Sequence, residues 1–272
     1  MAGGRHRRRW WIVGLVVVVV LLVGGPFVYI HLIEGPAPAK LSLPRTSTPV
    51  DAGGSSSTQA SLDGTWSVGS GSIVGYRVQE VLIGQHATAV GRTAKVSGSV
   101  SISGTSVTRG SFTVDMASVE SDQSERNAQF DGRIMDVSAY PTSTLVLTEP
   151  IDLGTVPADG SVEQLAATGD LTMHGVTKSV SFKVSGQRSG DTIYVLADIP
   201  IVFAEWDISN PSIGGFVTTQ SSGTLEVLLH LTRGPGNAPV TGSSSTAPVT
   251  QGGGGPVTVP KTTVPPLQVP SG

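Results

Sequence analysis

The most constraining feature of this chain is a strand, a tight turn and a returning strand written into a single stretch. Leu171-Thr-Met-His-Gly-Val-Thr-Lys178 runs on into Ser-Val-Ser-Phe-Lys-Val184, and Val180, Phe182 and Val184 alternate with Ser179, Ser181, Lys183 and Ser185. A period of two puts the apolar side chains on one face of an extended segment, so one face is buried and the other is wet. His174-Gly175 supplies the turn, because glycine tolerates the positive φ that a short hairpin connection requires. A histidine beside a turn glycine reads first as an exposed polar residue. A ligand or catalytic role is the competing reading.

The same alternation recurs along the chain, with turn residues between the runs. Candidate strands lie at Trp66 to Val81, Thr93 to Ser103, Val107 to Ser118, Ser143 to Ile151, Glu163 to Met173, Thr177 to Arg188, Thr192 to Phe203 and Thr218 to Thr232. Val96, Val100 and Ile102 share one face, as do Phe112, Val114 and Met116, and the pattern returns in Ile193, Val195, Ala197 and Ile199 and in Leu225, Val227, Leu229 and Leu231. About eight strands are enough to close a small barrel that fills its interior or holds one ligand. Inner faces of this kind occur equally in β-sandwiches, so periodicity alone leaves both open. The one helical candidate is Asp122 to Asp131, with Ser121 or Asp122 as cap, Glu125 completing an Asp-x-x-Glu arrangement and Gly132 as terminator. Such a helix would cross a barrel opening.

The ends of the chain read differently. Arg5, Arg7, Arg8 and Arg9 precede an apolar run from Trp10 to Ile33 without Asp, Glu, Lys or Arg. About 20 apolar residues span a bilayer as a helix, whereas the core of a signal peptide needs only about 7 to 15. Segment 10–33 is therefore expected to be a transmembrane anchor, with 1–9 cytoplasmic by the positive-inside tendency and the remainder of the chain extracytoplasmic. A long cleaved signal peptide is the alternative, because Ala37-Pro-Ala39 resembles a cleavage site. Residues 34–61 are rich in Pro, Ser, Thr, Gly and Ala and read as a flexible linker; 62–233 form the folded domain, and 234–272, with the Gly252 to Gly255 run, read as a disordered tail.

Composition removes several function classes. The chain has no cysteine, which excludes disulfides, thiolate metal sites, a cysteine nucleophile and a lipoprotein anchor. The arginine-rich leader supplies four of the 17 positive residues in a chain of formal net charge −3, so the folded domain is the more acidic part and lacks the basic stripe that nucleic acid requires. No G-x-S-x-G, no H-E-x-x-H and no glycine-rich phosphate loop is present, and Gly69-Ser-Gly71 lacks the third glycine. His86, His174 and Asp170 are scattered rather than clustered by motif, so no catalytic residue, metal or cofactor is expected.

The hairpin at 171–178 resembles the L-T-x-H-G-V-T-K signature of the YceI-like family. A second block, Arg126-Asn-Ala-Gln-Phe130 with Ile134-Met-Asp-Val137 and Tyr140-Pro141, is similar to that family's helix, its F-F-D segment and the Tyr-Pro that opens the next strand. Val202-Phe-Ala-Glu-Trp-Asp207 resembles the segment before its last strand. Two departures stand out: Ile134-Met135 replaces the common Phe-Phe, and Ser72-Ile-Val-Gly-Tyr-Arg-Val78 replaces an opening H-S-x-V-x-F. The resemblance implies an extracytoplasmic, lipocalin-like antiparallel barrel that holds a polyisoprenoid or another long-chain amphiphile.

On that basis Val100, Phe112, Val114, Met116, Phe130, Ile134, Met135, Leu171, Met173, Phe182, Phe203 and Trp206 are the candidate cavity-lining residues. Gly98, Gly110, Ala167 and Gly169 are expected to leave unfilled space among them. The expected partners are a long-chain isoprenoid or other lipid and the membrane. Two readings compete with lipid carriage: a packed envelope module that engages a protein through a loop such as Ala204 to Phe216, and an enzyme of unknown reaction.

Overall fold

A computed structural model of the chain describes residues 11, 14, 15, 17, 18, 37–45, 61–82, 84–212 and 217–233. Almost all of the expected anchor at 10–33, most of the linker and the whole tail lie outside the described residues. Among those described, no helix is long and apolar enough to cross a membrane.

Thirteen strands follow one another: β1 (Gly64–Val68), β2 (Ile73–Leu82), β3 (Gln85–Thr93), β4 (Val96–Ser103), β5 (Ser106–Asp115), β6 (Glu120–Ser121), β7 (Thr142–Leu147), β8 (Ile151–Asp152), β9 (Val162–Met173), β10 (Val176–Ser189), β11 (Thr192–Val202), β12 (Val217–Thr219) and β13 (Ser222–Arg233). They build an eight-stranded antiparallel barrel with short additions at its rim. β1 and β2 are two stretches of the first wall strand, and β3 and β4 of the second. β5, β7, β9, β10, β11 and β13 complete the wall, which closes where β13 pairs with both β1 and β2. Closure through β13 removes the two outer edges that an open sheet would carry, and it decides between barrel and sandwich.

Three local differences from the sequence reading have physical causes. The expected strand from Trp66 to Val81 breaks at Gly69–Ser72, where Ser72 Oγ donates to Gly69 O at 2.9 Å and accepts from His230 N at 3.0 Å. β3 extends eight residues before the expected start at Thr93, because its inner face is made of Ala87, Ala89 and Gly91, which give no apolar alternation. The helix runs from Ser124 to Gln129 and continues as a wider turn from Phe130 to Ile134. Neither Ser121 nor Asp122 caps it: Ser121 donates from N and Oγ to Asn127 Oδ1, and Asp122 pairs with Arg126 one turn on. Gly132 does not end it; the chain turns away at Asp136, with φ 40°.

Two apolar clusters lie toward opposite ends of the barrel. Near the helix lie Met116, Phe130, Met135, Met173, Phe203 and Trp206; at the base lie Leu62, Trp66, Val68, Val74, Val96 and Leu231. The base is plugged by the chain that enters β1. Trp66 Nε1 donates to Leu62 O at 2.8 Å, Asp63 accepts from Ser61 Oγ and from Gly104 N, and Arg233 lies over the Trp66 ring at 4.7 Å. The Ser61 hydroxyl and the Gly104 N–H hold the Asp63 carboxyl below its ordinary range.

Residues 37–45, which composition places in the linker, run extended against the outside of the barrel. Arg77 Nη2 donates to Pro38 O at 2.7 Å, Arg92 Nη2 donates to Ala39 O at 2.5 Å, and Leu41 and Leu43 are half-buried. Under this strap the Glu226 side chain, 1% exposed, is held between Arg77 at 2.6 Å and Arg92 at 2.8 Å. Burial raises the pKa of that carboxyl, but the hydrogen bonds and charges of the two guanidinium groups outweigh it and hold it below the ordinary glutamate range.

Candidate functional site

The inner faces of the strands enclose a cavity of about 560 Å³ that runs from the helix end toward the base. Of the candidate residues read from the sequence, Val100, Phe112, Val114, Met116, Phe130, Ile134, Met135, Leu171, Met173, Phe182 and Phe203 all line it. They come from β4, β5 and the turn after it, β9, β10, the helix end and the turn after β11, which the meander brings around one space. Trp206 does not line the cavity. Its ring is 1% exposed and packed in the core, with Nε1 donating to Leu171 O at 3.3 Å. This buried position also removes Trp206 as an exposed anchor of the 204–216 loop; Phe216 lies outside the described residues.

Sequence reasoning missed much of the lining. Tyr76, Leu145, Leu147, Leu165, Ile193, Val195 and Leu229 also face the cavity. Their alternation placed several of them on inner faces, but nothing in the sequence fixes how far along the barrel the open space reaches. The glycines act differently from the expectation. A side chain at Gly98 would meet Ser111 O at 2.2 Å, one at Gly110 would meet Leu147 Cδ1 at 2.7 Å, and one at Gly169 would meet Val146 O at 2.7 Å. These positions are glycine because neighbours crowd them, and the vacant volume lies elsewhere. Only Ala167, among the small residues named, borders it.

Polar groups gather at the helix end. Glu80, Gln123, Glu125, Arg126, Gln129 and Arg133 line that part of the cavity. Arg126 ties the helix to β2 through Glu80 at 3.3 Å, and Arg133 donates to Gln129 Oε1 at 2.9 Å and to Pro211 O at 3.1 Å. The helix is thus fastened across the opening by both cations. Phe130 stacks on Tyr76, with ring centroids 5.2 Å apart. Burial pushes the Tyr76 phenol up to about 12, against the opposing effect of Arg126. It therefore stays a protonated hydrogen-bond donor at neutral pH, set in an apolar wall.

The hairpin histidine is structural. His174, with φ 48°, and Gly175, with φ 75°, form the two-residue turn between β9 and β10. His174 Nδ1 donates to Trp206 O at 3.2 Å, and its ring meets Tyr140 edge-on at 4.7 Å. A side chain at position 175 would meet the Tyr140 ring at 2.5 Å. The two sequence blocks singled out earlier, the hairpin and Tyr140-Pro141, therefore meet at one corner and pin the Phe203–Trp206 turn. His86 sits in β3, away from that corner, and among the described residues no group of three or more His, Asp or Glu side chains could hold a metal ion.

Comparison with known proteins places this architecture. Three curated relatives from Pseudomonas putida strains, each described as a UPF0312 protein, are 39% identical over 75 residues, which is 27% of this chain; the match spans 35% of the length of each relative. Among solved structures, a polyisoprenoid binding domain from Saccharophagus degradans superposes with a TM-score of 0.52 at 17% identity, covering 62% of this chain and 97% of that one. BcnA from Burkholderia cenocepacia matches with a TM-score of 0.43 at 22% identity, covering 57% of this chain and 94% of that one. At 17% identity the likeness to the Saccharophagus degradans domain is one of fold. The model of the YceI-like domain matches residues 66–231, from the base tryptophan of β1 to Leu231 near the end of β13, and with the barrel covered from end to end the chain belongs to the YceI-like family.

Proposed function

We propose that this protein binds a polyisoprenoid or a similar long-chain amphiphile inside its barrel and carries or stores it outside the cytoplasm, held to the membrane by the 10–33 segment. The observation that carries the reading is the cavity: about 560 Å³ of space bounded almost wholly by apolar side chains. Its volume falls within the roughly 300–1,000 Å³ typical of small-molecule sites. A well-formed fold gains by filling such a space with its own side chains, so an open one of this size and polarity suits an apolar guest. Each methylene buried there contributes about 0.8 kcal/mol, so a long chain binds tightly with few polar contacts. Tyr76 and the polar rim at the helix end supply those contacts for a head group. The Saccharophagus degradans domain, described as polyisoprenoid binding, supports the same choice of ligand.

The chemistry of such a site is binding and release, without turnover. The test is to purify the full chain from its membrane fraction, extract it with organic solvent and identify the extract by mass spectrometry. A stoichiometric isoprenoid or other long-chain lipid is the expected result. A chain that purifies empty and takes up no isoprenoid alcohol from solution would overturn the reading. Protease treatment of intact cells tests the orientation separately: the barrel should be cut or shaved only from the outer side.

A further inference from the structure

One stretch of the barrel wall does not close. β10 and β11 are paired from Val184↔Ala197 to Ser189↔Thr192 and no further. Beyond that point β10 keeps its β9 partners up to Val176↔Met173, and β11 keeps its β13 partners up to Val202↔Ser222. Each strand follows its other neighbour, so Val176–Lys183 and Asp198–Val202 form the two lips of a fork. Pro200 lies on the β11 lip. It has no N–H to donate, and proline within a sheet belongs at an open edge.

The wall is one side chain thick at the fork. An outer recess lies over it, bordered by Ser181, Lys183, Asp198 and Pro200, and the inward-facing Phe182 and Ala197 border both that recess and the interior cavity. Exposure follows the same line. Ala167 and Leu171 on β9 are each 4% exposed, whereas Val180, Phe182 and Val184, which face inward from the adjoining strand, are only half-buried. The helix, by contrast, is tied across the open end by Arg126 and Arg133.

We propose that the β10–β11 fork is a lateral portal for the hydrocarbon chain of the bound amphiphile, with the Phe182 ring as its door. The proposal rests on the reading of the cavity as a lipid site. The door is one phenyl ring in a gap that the ladder leaves unzipped, so opening requires a side-chain rotation and breaks no strand pairing. A half-exposed ring turns far faster than a sheet unpairs. An apolar chain fits this passage because Phe182 and Ala197, the two side chains between recess and cavity, offer no charge.

The chain has no cysteine of its own, which makes a staple specific. The full chain carrying Ser181→Cys and Asp198→Cys is loaded with dansyl-farnesol, joined by a short bis-maleimide and mixed with dioleoylphosphatidylcholine vesicles as acceptor. Release of the probe is followed by fluorescence. The stapled protein is expected to release about tenfold more slowly than the same variant capped with N-ethylmaleimide, as for other gated sites. A staple between Ser99→Cys and Ser111→Cys, across the intact β4–β5 ladder, should leave the rate unchanged. Phe182→Ala, which removes the door, should speed release about tenfold while its thermal midpoint reports that it remains folded. Equal release from the stapled and capped proteins, after normal uptake, would overturn the portal and leave the lipid site standing. Failure of the unmodified chain to take up the probe would overturn both.

Discussion

The two ends of the barrel are built from different side chains. At the base, Trp66 and Val68 are packed away from the cavity, beside a plug fastened by hydrogen bonds from Trp66 and to Asp63, while Val74, Val96 and Leu231 of the same cluster border its floor. At the helix end, Met116, Met135, Met173, Phe130 and Phe203 surround open space. β-Branched residues hold few rotamers and specify one packing, whereas methionine bends to fit irregular gaps. Trp66 and Val68 therefore fix the floor of the fold, and the methionine-lined helix end can re-pack around a guest.

Truncating one large side chain at each end gives the strongest test of that contrast. Trp66→Ala should cost about 4 kcal/mol, since it empties a fully enclosed site and removes both the hydrogen bond to Leu62 O and the stack under Arg233. Phe130→Ala should cost about half as much, roughly 2 kcal/mol, because the ring already borders a cavity and its loss enlarges an existing space. Urea unfolding of the two variants measures both. Affinity for dansyl-farnesol should show the reverse order, with Phe130→Ala weakened and the folded fraction of Trp66→Ala near the parent. Equal stability losses would erase the distinction between a fold-specifying base and an adaptable mouth.

The Arg77–Glu226–Arg92 cluster lies outside both ends, beneath the strap, and sharpens the comparison by adding a polar anchor. Glu226→Gln should destabilise by about 3 kcal/mol, because two guanidinium groups lose the buried carboxylate that they share. The pH dependence follows from the lowered pKa of Glu226. A carboxyl held below its unfolded value contributes stability that is complete above the ordinary glutamate range and is lost as pH falls through the lowered folded-state value. Thermal midpoints of the parent should therefore fall steeply in acid, and those of Glu226→Gln less steeply. An identical acid limb in the two proteins would show that the cluster does not couple protons to folding.

Much of this fold is legible in the sequence because burial on one side of a strand enforces the period of two. The faces of β4, β5, β11 and β13 follow from that rule alone. β3 escapes it, since Ala87, Ala89 and Gly91 carry little or no side chain, and at Gly91 the Tyr76 ring sits 2.3 Å from where a side chain would begin. The strap at 37–45 escapes it for another reason. Its low-complexity composition says nothing of Arg77 and Arg92, whose N–H groups donate to its carbonyls from 39 and 53 residues away. The cavity is legible only as a set of faces: the sequence shows which side chains turn inward, and packing decides that they do not meet. The fork between β10 and β11 has one local trace, Pro200, which reads in isolation as an ordinary strand residue out of place.

The smallest expected effect separates the two ends most finely. Val68 is 2% exposed at the base and does not border the cavity, while Val119, 6% exposed at the helix end, does. Adding one methylene at each tests whether spare volume is present where the side chain points. Val68→Ile should cost about 1 kcal/mol, because a full site must shift its neighbours or strain its own rotamer. Val119→Ile should change stability by less than about 0.5 kcal/mol, since the added carbon can enter open space and gain contacts there. The same substitution should weaken binding of the longest isoprenoid alcohols before it affects shorter ones, because it takes volume from the site rather than from the fold. A loss of stability at Val119 equal to that at Val68 would mean that the helix end is as tightly packed as the base, and that the open volume does not reach it.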